Sequence, residues 1–280
     1  MIGHTIFRVL RDRNNWEVFG TVRTDFPKQN FVSPAAESLV SNINLLDDDS
    51  LVRVIDRLRP NVIINCAGLT KHKSESDDPL LALPINSLLP HRLSSLCRLT
   101  GARLIHISTD CVFSGMKGNY TEDDFTDARD VYGKSKALGE IQYQNTITLR
   151  TSTIGHELHS KYGLLEWFLS QNKQCKGYSR AVFSGFPTVV LAEIIRDFVI
   201  PKENLSGLFN VAANPINKYD LLQLIAKVYV KEIEIIPEDS LVIDRSLNGE
   251  RFHRATGYNA PSWPELVQSM FDDRRSQSNV

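Results

Sequence analysis

The stretch Arg103-Leu104-Ile105-His106-Ile107-Ser108-Thr109-Asp110, RLIHISTD, decides how the chain is read. Its short apolar run, closed by a polar Ser-Thr-Asp, reads as a strand buried on both faces. Outward from it, Glu17 to Val22 (EVFGTV), Val62 to Asn65 (VIIN) and Thr146 to Leu149 (TITL) read as further buried strands. Between them Leu51 to Leu58, Leu80 to Leu99 and Tyr132 to Tyr143 carry apolar residues at the three-four spacing of helices. Strand alternating with helix implies an α/β fold, a doubly wound parallel sheet covered on both faces. Right-handed crossovers bring the C-terminal strand ends to one edge, where ligands of open α/β sheets bind. Ser108 and Thr109 stand at that edge.

After Arg150 the rhythm loosens. Ser184 to Thr188 (SGFPT) is rich in Gly, Pro and Ser, and helices are expected over Val190 to Val199 and Lys218 to Tyr229. Residues 1–150 are therefore read as the main α/β region and 151–280 as a smaller α/β cap whose elements thread back into the main sheet. The opening MIGHTIFRVL already reads as a helix, with Ile2, Ile6, Val9, Leu10 and Arg13 on one face. A doubly wound fold ordinarily begins with a strand and a glycine-rich turn, so about ten further upstream residues are expected. Gly3 is the one glycine of such a turn that remains, leaving the phosphate cradle incomplete.

Charge narrows the partners. With 32 basic and 33 acidic residues the formal charge is -1, which gives no electrostatic reason for nucleic acid or an anionic membrane as partner. No apolar run reaches the length of a membrane span, and no secretory or transit pattern opens the sequence. Cys66, Cys97, Cys111 and Cys175 lack metal or redox spacing and read as buried free thiols, which fits a cytoplasmic protein. The acidic run Asp47-Asp48-Asp49 reads as the cap of a helix starting near Ser50.

The chemistry centres on Val131-Tyr132-Gly133-Lys134-Ser135-Lys136. Four residues make little more than one helical turn, so Tyr132 and Lys136 share a face. An ammonium beside a phenol favours the phenolate, and the pair can then exchange a proton nearer neutral pH. Reduction of a ketone needs such a pair, because hydride addition leaves an alkoxide that must be protonated; a nearby hydroxyl such as Ser108 or Thr109 stabilises it beforehand.

ISTDCVFSG (Ile107 to Gly115), YTEDD (Tyr120 to Asp124) and VYGKSKALGE (Val131 to Glu140) together resemble the extended short-chain dehydrogenase/reductase superfamily, and within it the dTDP-4-dehydrorhamnose reductase family. RPNVIINCAGLT (Arg59 to Thr70), the helix carrying Asn86, LRTS (Leu149 to Ser152) and GFPT (Gly185 to Thr188) extend the resemblance over nearly the whole chain. It implies a Rossmann fold, a nicotinamide cofactor and a nucleotide-sugar substrate reduced at a 4-keto group in cell-surface polysaccharide precursor synthesis. It also implies Tyr132 as proton donor, Lys136 as the group that lowers its pKa and holds the nicotinamide ribose, Thr109 as the substrate-side hydroxyl, and Ser108 as structural. Ile2, Gly3, Cys66, Ala67, Gly68 and Thr70 fall in the cofactor loops, Asn44 and Leu45 beside the adenine, and Ser152, Thr153 and Arg180 toward the substrate. Thr153 stands where rhamnose-forming relatives carry a tryptophan, which leaves the sugar open. A homodimer is expected from the same resemblance; an NAD-retaining epimerase and a non-catalytic subunit like that of methionine adenosyltransferase are the alternatives.

Arg23, after the strand ending in Val22, is placed to meet a ribose 2'-phosphate, so NADPH is the expected cofactor; NADH is the alternative if Asp25 fills the acidic role. Lys71, His72 and Lys73, with Lys218 and Arg251, are further candidates for substrate phosphates. His156, Glu157 and His159 have crowded spacing without HExxH, and no metal is expected. Tyr178, Phe183, Phe186 and Trp263 read as core or lid aromatics.

Overall fold

A computed structural model describes residues 1–11, 15–24, 35–71, 74–158 and 160–278. Along the chain, α1 (Ile2–Arg11) leads to β1 (Gly20–Thr21) and β2 (Leu39–Val40), and α2 (Asp48–Leu58) to β3 (Val62–Asn65). Then α3 (Pro79–Ala82), a π-helical turn (Leu83–Leu88) and α4 (Leu89–Thr100) lead to β4 (Arg103–Thr109), and α5 (Val131–Leu138) to β5 (Thr146–Thr151). The second half adds β6 (Thr153–Ile154), α6 (Leu164–Ser170), β7 (Gln174–Tyr178), β8 (Ala181–Phe183), β9 (Phe186–Pro187), α7 (Thr188–Ile194) and β10 (Gly207–Asn210). It ends with β11 (Ile216–Asn217), α8 (Lys218–Val228), β12 (Glu234–Glu238), β13 (Ile243–Asp244), α9 (Glu250–Thr256) and α10 (Trp263–Ser278).

The main sheet is parallel throughout, in the order β10-β5-β4-β3. Its outermost strand, β10, comes from the second half of the chain, so the C-terminal segment threads back as expected. All seven residues of β4 are buried. Ile105 and Ile107 face one core with Ile6, Val9 and Leu10 of α1 and Leu191 and Ile194 of α7. Leu104 faces the other, with Leu51 of α2 and Leu89 and Leu93 of α4. Alternation along one strand thus serves two helical layers.

β1 and β2 form a separate parallel pair, and neither bonds to β3. The first strand expected ahead of α1 has no counterpart among the described residues, where the chain enters α1 directly. β1 is shorter than the expected Glu17–Val22, and at Gly20 a Cβ would stand 2.7 Å from Leu39 Cδ2. The side chains of Leu39 and Phe7 fill the space that a Cβ would take.

Helix ends follow local chemistry. Asp47 accepts the Asp49 N–H at 3.0 Å, so α2 starts at Asp48 rather than Ser50, whose buried hydroxyl accepts instead the Asn44 N–H at 3.2 Å. The helix expected over Leu80–Leu99 is interrupted by the π turn, in which the Leu89 N–H reaches back to the Pro84 carbonyl and Asn86 is buried. The helix expected to run to Tyr143 stops at Leu138, because a Cβ on Gly139 would overlap the Asn86 carbonyl and the chain turns away to tie Ile141 to Thr148. Arg13, Asp25, His72, Lys73 and His159 lie outside the described residues. Among the described residues, no helix is long and apolar enough to cross a membrane.

Candidate active site

Thr109 is the last residue of β4, and its side chain accepts the Cys111 N–H at 3.1 Å, capping a short 3₁₀ turn. α5 starts opposite. Asp130 accepts the Gly133 N–H at 2.7 Å as its cap, which fixes the turn that presents Tyr132. A Cβ on Gly133 would overlap the Cys111 carbonyl, so the bare glycine lets helix and 3₁₀ turn meet. Tyr132 thereby comes against Thr109, whose hydroxyl makes a polar contact with the phenol.

Burial raises the Tyr132 phenol above its usual value; Cys111 raises it further and the Thr109 contact opposes. Lys136, one turn on and 5% exposed, donates to the Ile107 carbonyl at 2.8 Å. Burial brings its ammonium down to about 8, against the opposing pull of Glu140 and Cys66. The expectation that Lys136 acidifies Tyr132 thus meets a different balance. Desolvation dominates the phenol, and the ammonium is anchored on the strand carrying Thr109.

Behind the lysine, Glu140 and Arg150 form a buried bidentate pair at 2.8 and 2.7 Å, and Ser108 donates to the same carboxylate at 2.7 Å. Ser108 is therefore occupied structurally, while Thr109, at the strand tip, donates to Asp110 Oδ1 at 3.1 Å. The network locks the end of the Tyr–Lys helix to β4 and β5.

The loop after β3 closes the other side. Cys66, at the end of β3, has its thiol pushed up to about 12 by burial, with Lys136 opposing. Asn65 Oδ1 accepts the Ala67 N–H at 3.1 Å, and Asn86 Oδ1 accepts the Leu69 N–H at 2.9 Å. Asn86 Nδ2 also donates to Ser135 Oγ at 3.0 Å, so one side chain joins the loop carrying Gly68 and Thr70 to the Tyr–Lys helix. Ile2 and Gly3 open α1 beside this loop; a Cβ at Gly3 would sit 3.5 Å from Cys66 Cβ. Arg23 is exposed just past β1. Asn44 and Leu45 follow β2, with Asn44 accepting the Leu46 N–H at 3.1 Å and Leu45 packed on the second core.

Just past β5, Ser152 lies against the buried Asp110, whose carboxyl is pushed up by burial and drawn down by Arg245. The Ser152 carbonyl accepts the Phe186 N–H at 2.9 Å, and a Cβ on Gly185 would overlap that carbonyl. Thr153 begins β6, paired with Phe186 of β9. Arg180 is not brought in: it lies exposed on the turn between β7 and β8. Arg251 is paired with Glu122 and Asp123 at 3.5 and 2.6 Å. His156 is held between Glu166 and Tyr229 at 2.6 and 3.0 Å, and Glu157 accepts the Gly163 N–H at 2.9 Å, so neither is placed as a ligand. Trp263 donates to the Asn214 carbonyl at 2.7 Å and Phe186 is fully buried, both as core aromatics.

Sequence reasoning missed Arg245 and Asp110. Arg245 Nε donates to the Phe113 carbonyl at 2.8 Å and its guanidinium approaches Cys111 Sγ at 3.9 Å, yet it lies in a passage with no periodicity or motif. Asp110 could have been found, because it follows the strand-ending hydroxyls directly.

The profile of the RmlD substrate binding domain family matches residues 2–276. A dTDP-4-dehydrorhamnose reductase of Aggregatibacter actinomycetemcomitans is 26% identical over 230 residues, 78% of this chain and 72% of that protein. A protein of the same name from Streptomyces griseus is 37% identical over 100 residues, 35% of this chain, and the chain spans only 33% of that relative's length. Methionine adenosyltransferase 2 subunit beta of Xenopus laevis is 30% identical over 140 residues, 50% of this chain and 39% of that protein. The crystal structure of dTDP-4-dehydrorhamnose reductase from Bacillus anthracis, in complex with NADP, superposes with a TM-score of 0.74 at 19% identity, covering 91% of this chain and all of that one. With the match running almost end to end on a Rossmann fold, the chain belongs to the RmlD substrate binding domain family.

Proposed function

We propose that this protein is an NADPH-dependent reductase of the 4-keto group of a nucleotide-linked deoxysugar, acting in the cytoplasm on precursors of cell-surface polysaccharide. The observation that carries the reading is the meeting of Thr109, Tyr132 and Lys136 at the C-terminal end of β4, the edge where such a fold receives its ligands.

The residues present fit a nicotinamide dinucleotide. Gly3 and Gly68 leave side-chain-free backbone where the start of α1 faces the loop after β3, and the first N–H groups of α1 can meet phosphate oxygens. Arg23 would meet a 2'-phosphate, Asn44 and Leu45 would flank the adenine, and Tyr132 and Lys136 would hold the ribose. A bound NADPH supplies the hydride; NADH is the alternative donor.

The chain's own groups do the rest. A phenol raised by burial stays protonated at neutral pH, so Tyr132 holds the proton an alkoxide would need, and Thr109 orients the carbonyl. Lys136 steadies the face from which that proton leaves. Ser152 and Thr153 line the sugar side, with residues 151–280 mainly a substrate-binding region. Exposed apolar residues on the α3–α4 run and at the end of α5, among them Leu80, Leu88 and Leu138, suit a homodimer.

A second reading is favoured by the likeness to the methionine adenosyltransferase subunit: a non-catalytic partner of another enzyme. Cofactor oxidation measured with a panel of 4-keto sugar nucleotides separates the two. Turnover that disappears in Tyr132→Phe supports the reductase; binding of NADPH without turnover of any panel member, together with co-purification of a partner enzyme, overturns it.

A further inference from the structure

Beyond the proton-transfer groups, three cations from separate parts of the chain converge on the 3₁₀ turn at Asp110–Val112. Lys71 extends from the loop after β3 and donates to Asp130 at 2.8 Å. Arg245 is anchored on Phe113. Lys218 opens α8 and lies within electrostatic reach of Asp110, Cys111, Arg245 and Lys71.

The small sheet β11-β8-β13 explains why two of them arrive together. Asn217 of β11 and Asp244 of β13 both pair with Val182 of β8, one on each side. Lys218 follows Asn217 directly as the first residue of α8, and Arg245, the residue after β13, falls on the opposite face with the buried Ala181 and Phe183. That face looks toward the 3₁₀ turn, as the bond from Arg245 to Phe113 requires. Arg245 and Lys71 each have a hydrogen-bonded partner. Lys218, half-buried, has neither hydrogen bond nor ion pair among the described residues, although burial makes its charge costly. A half-buried ammonium flanked by two further cations repels its neighbours and is compensated only in part by Asp110 and Asp130. Such a cluster suits an anion of more than one charge.

We propose that Lys218, with Arg245 and Lys71, forms the seat for the diphosphate of the substrate, beside the 3₁₀ turn that follows Thr109. The proposal deepens the reductase reading and rests on it for the identity of the substrate, but the seat itself is a binding property that needs no turnover. Lys218 is its central element because its ammonium is uncommitted, whereas Arg245 and Lys71 keep a structural bond each and contribute mainly field.

The test is titration of inorganic pyrophosphate, dTDP, UDP and thymidine into the NADPH-loaded protein, comparing wild type, Lys218→Ala and Lys218→Arg, with circular dichroism to confirm the fold. A lost charge-assisted contact weakens binding by about tenfold or more. Pyrophosphate and at least one nucleoside diphosphate are expected to bind the wild type, to weaken by that factor in Lys218→Ala, and to recover in Lys218→Arg, while NADPH binding stays unchanged. Diphosphate affinity equal in wild type and Lys218→Ala, or absent from the wild type, overturns the seat. If Lys218-dependent binding is found but no keto sugar is reduced, the seat stands and the reductase reading falls. If keto sugars are reduced with an unchanged KM in Lys218→Ala, the reverse holds.

Discussion

Lys136 Nζ donates to the carbonyl of Ile107, two residues before Thr109 on the same strand. The ammonium is thus fixed to the strand that ends in Thr109, so one hydrogen bond sets the spacing of helix and strand there. Burial holds this lysine at about 8, below its ordinary 10.5. Above the ordinary value neither the folded nor the unfolded chain is charged at this position. Between 10.5 and about 8 the unfolded chain takes up a proton that the folded one does not, so stability falls as pH falls through that window and is flat below it. Lys136→Met should therefore abolish turnover while raising the melting temperature at pH 7 by a few degrees, roughly 1–3 kcal/mol of relieved burial less the lost hydrogen bond. Melting curves of both proteins from pH 7 to 10.5 should converge as pH rises.

Tyr132→Phe should lower kcat by about 10²–10⁴-fold with little change in stability, since the hydroxyl caps nothing. Thr109→Val should lower both kcat and stability, the latter by about 1 kcal/mol, because its oxygen also caps the 3₁₀ turn through Cys111. Thr109→Ser should restore the cap and much of the rate. Steady-state kinetics beside thermal melts distinguish the two effects.

Glu140→Gln should cost about 3–5 kcal/mol, because it leaves the Arg150 guanidinium buried without its charge partner and weakens the bond from Ser108. Replacing both partners, as Glu140→Gln with Arg150→Met, should cost less than the single change. Urea unfolding of the three proteins provides the comparison.

Gly133→Ala should displace the start of α5 from the Cys111 carbonyl at a cost of about 1–3 kcal/mol. The phenol moves with the helix, so kcat should fall along with the melting temperature. The neighbouring Lys134→Ala, at an exposed position, should change neither.

Much of this is legible in the residues. RLIHI (Arg103 to Ile107) and VIIN are runs of strand length, and each forms a strand beginning where its run begins, the first continuing two residues further to Thr109. The Tyr–Lys helix is equally plain, since helical geometry puts two residues four apart on one face whatever surrounds them. Its end is not, because Gly139 is held by contact with the Asn86 carbonyl, far away in sequence. The π turn is hidden for the same reason: the three-four pattern of Leu80 to Leu99 passes through it without interruption. Among site residues, Thr109 and Tyr132 announce themselves by residue type and position, while Arg245 is defined by the register of β13 on β8. Arg180 lies exposed on the turn before β8, where its carbonyl accepts the Ile243 N–H at 3.1 Å, a position set by the pairing of the small sheet.

The outermost strand of the main sheet arrives more than fifty residues after β5, from a stretch whose other strands form separate small sheets. Cutting the gene between these strands would leave the N-terminal fragment with a row of unsatisfied amides and carbonyls along β5, an invitation to self-association. Residues 1–150 are consequently no free-standing module, and their expression alone should yield aggregates rather than a folded domain.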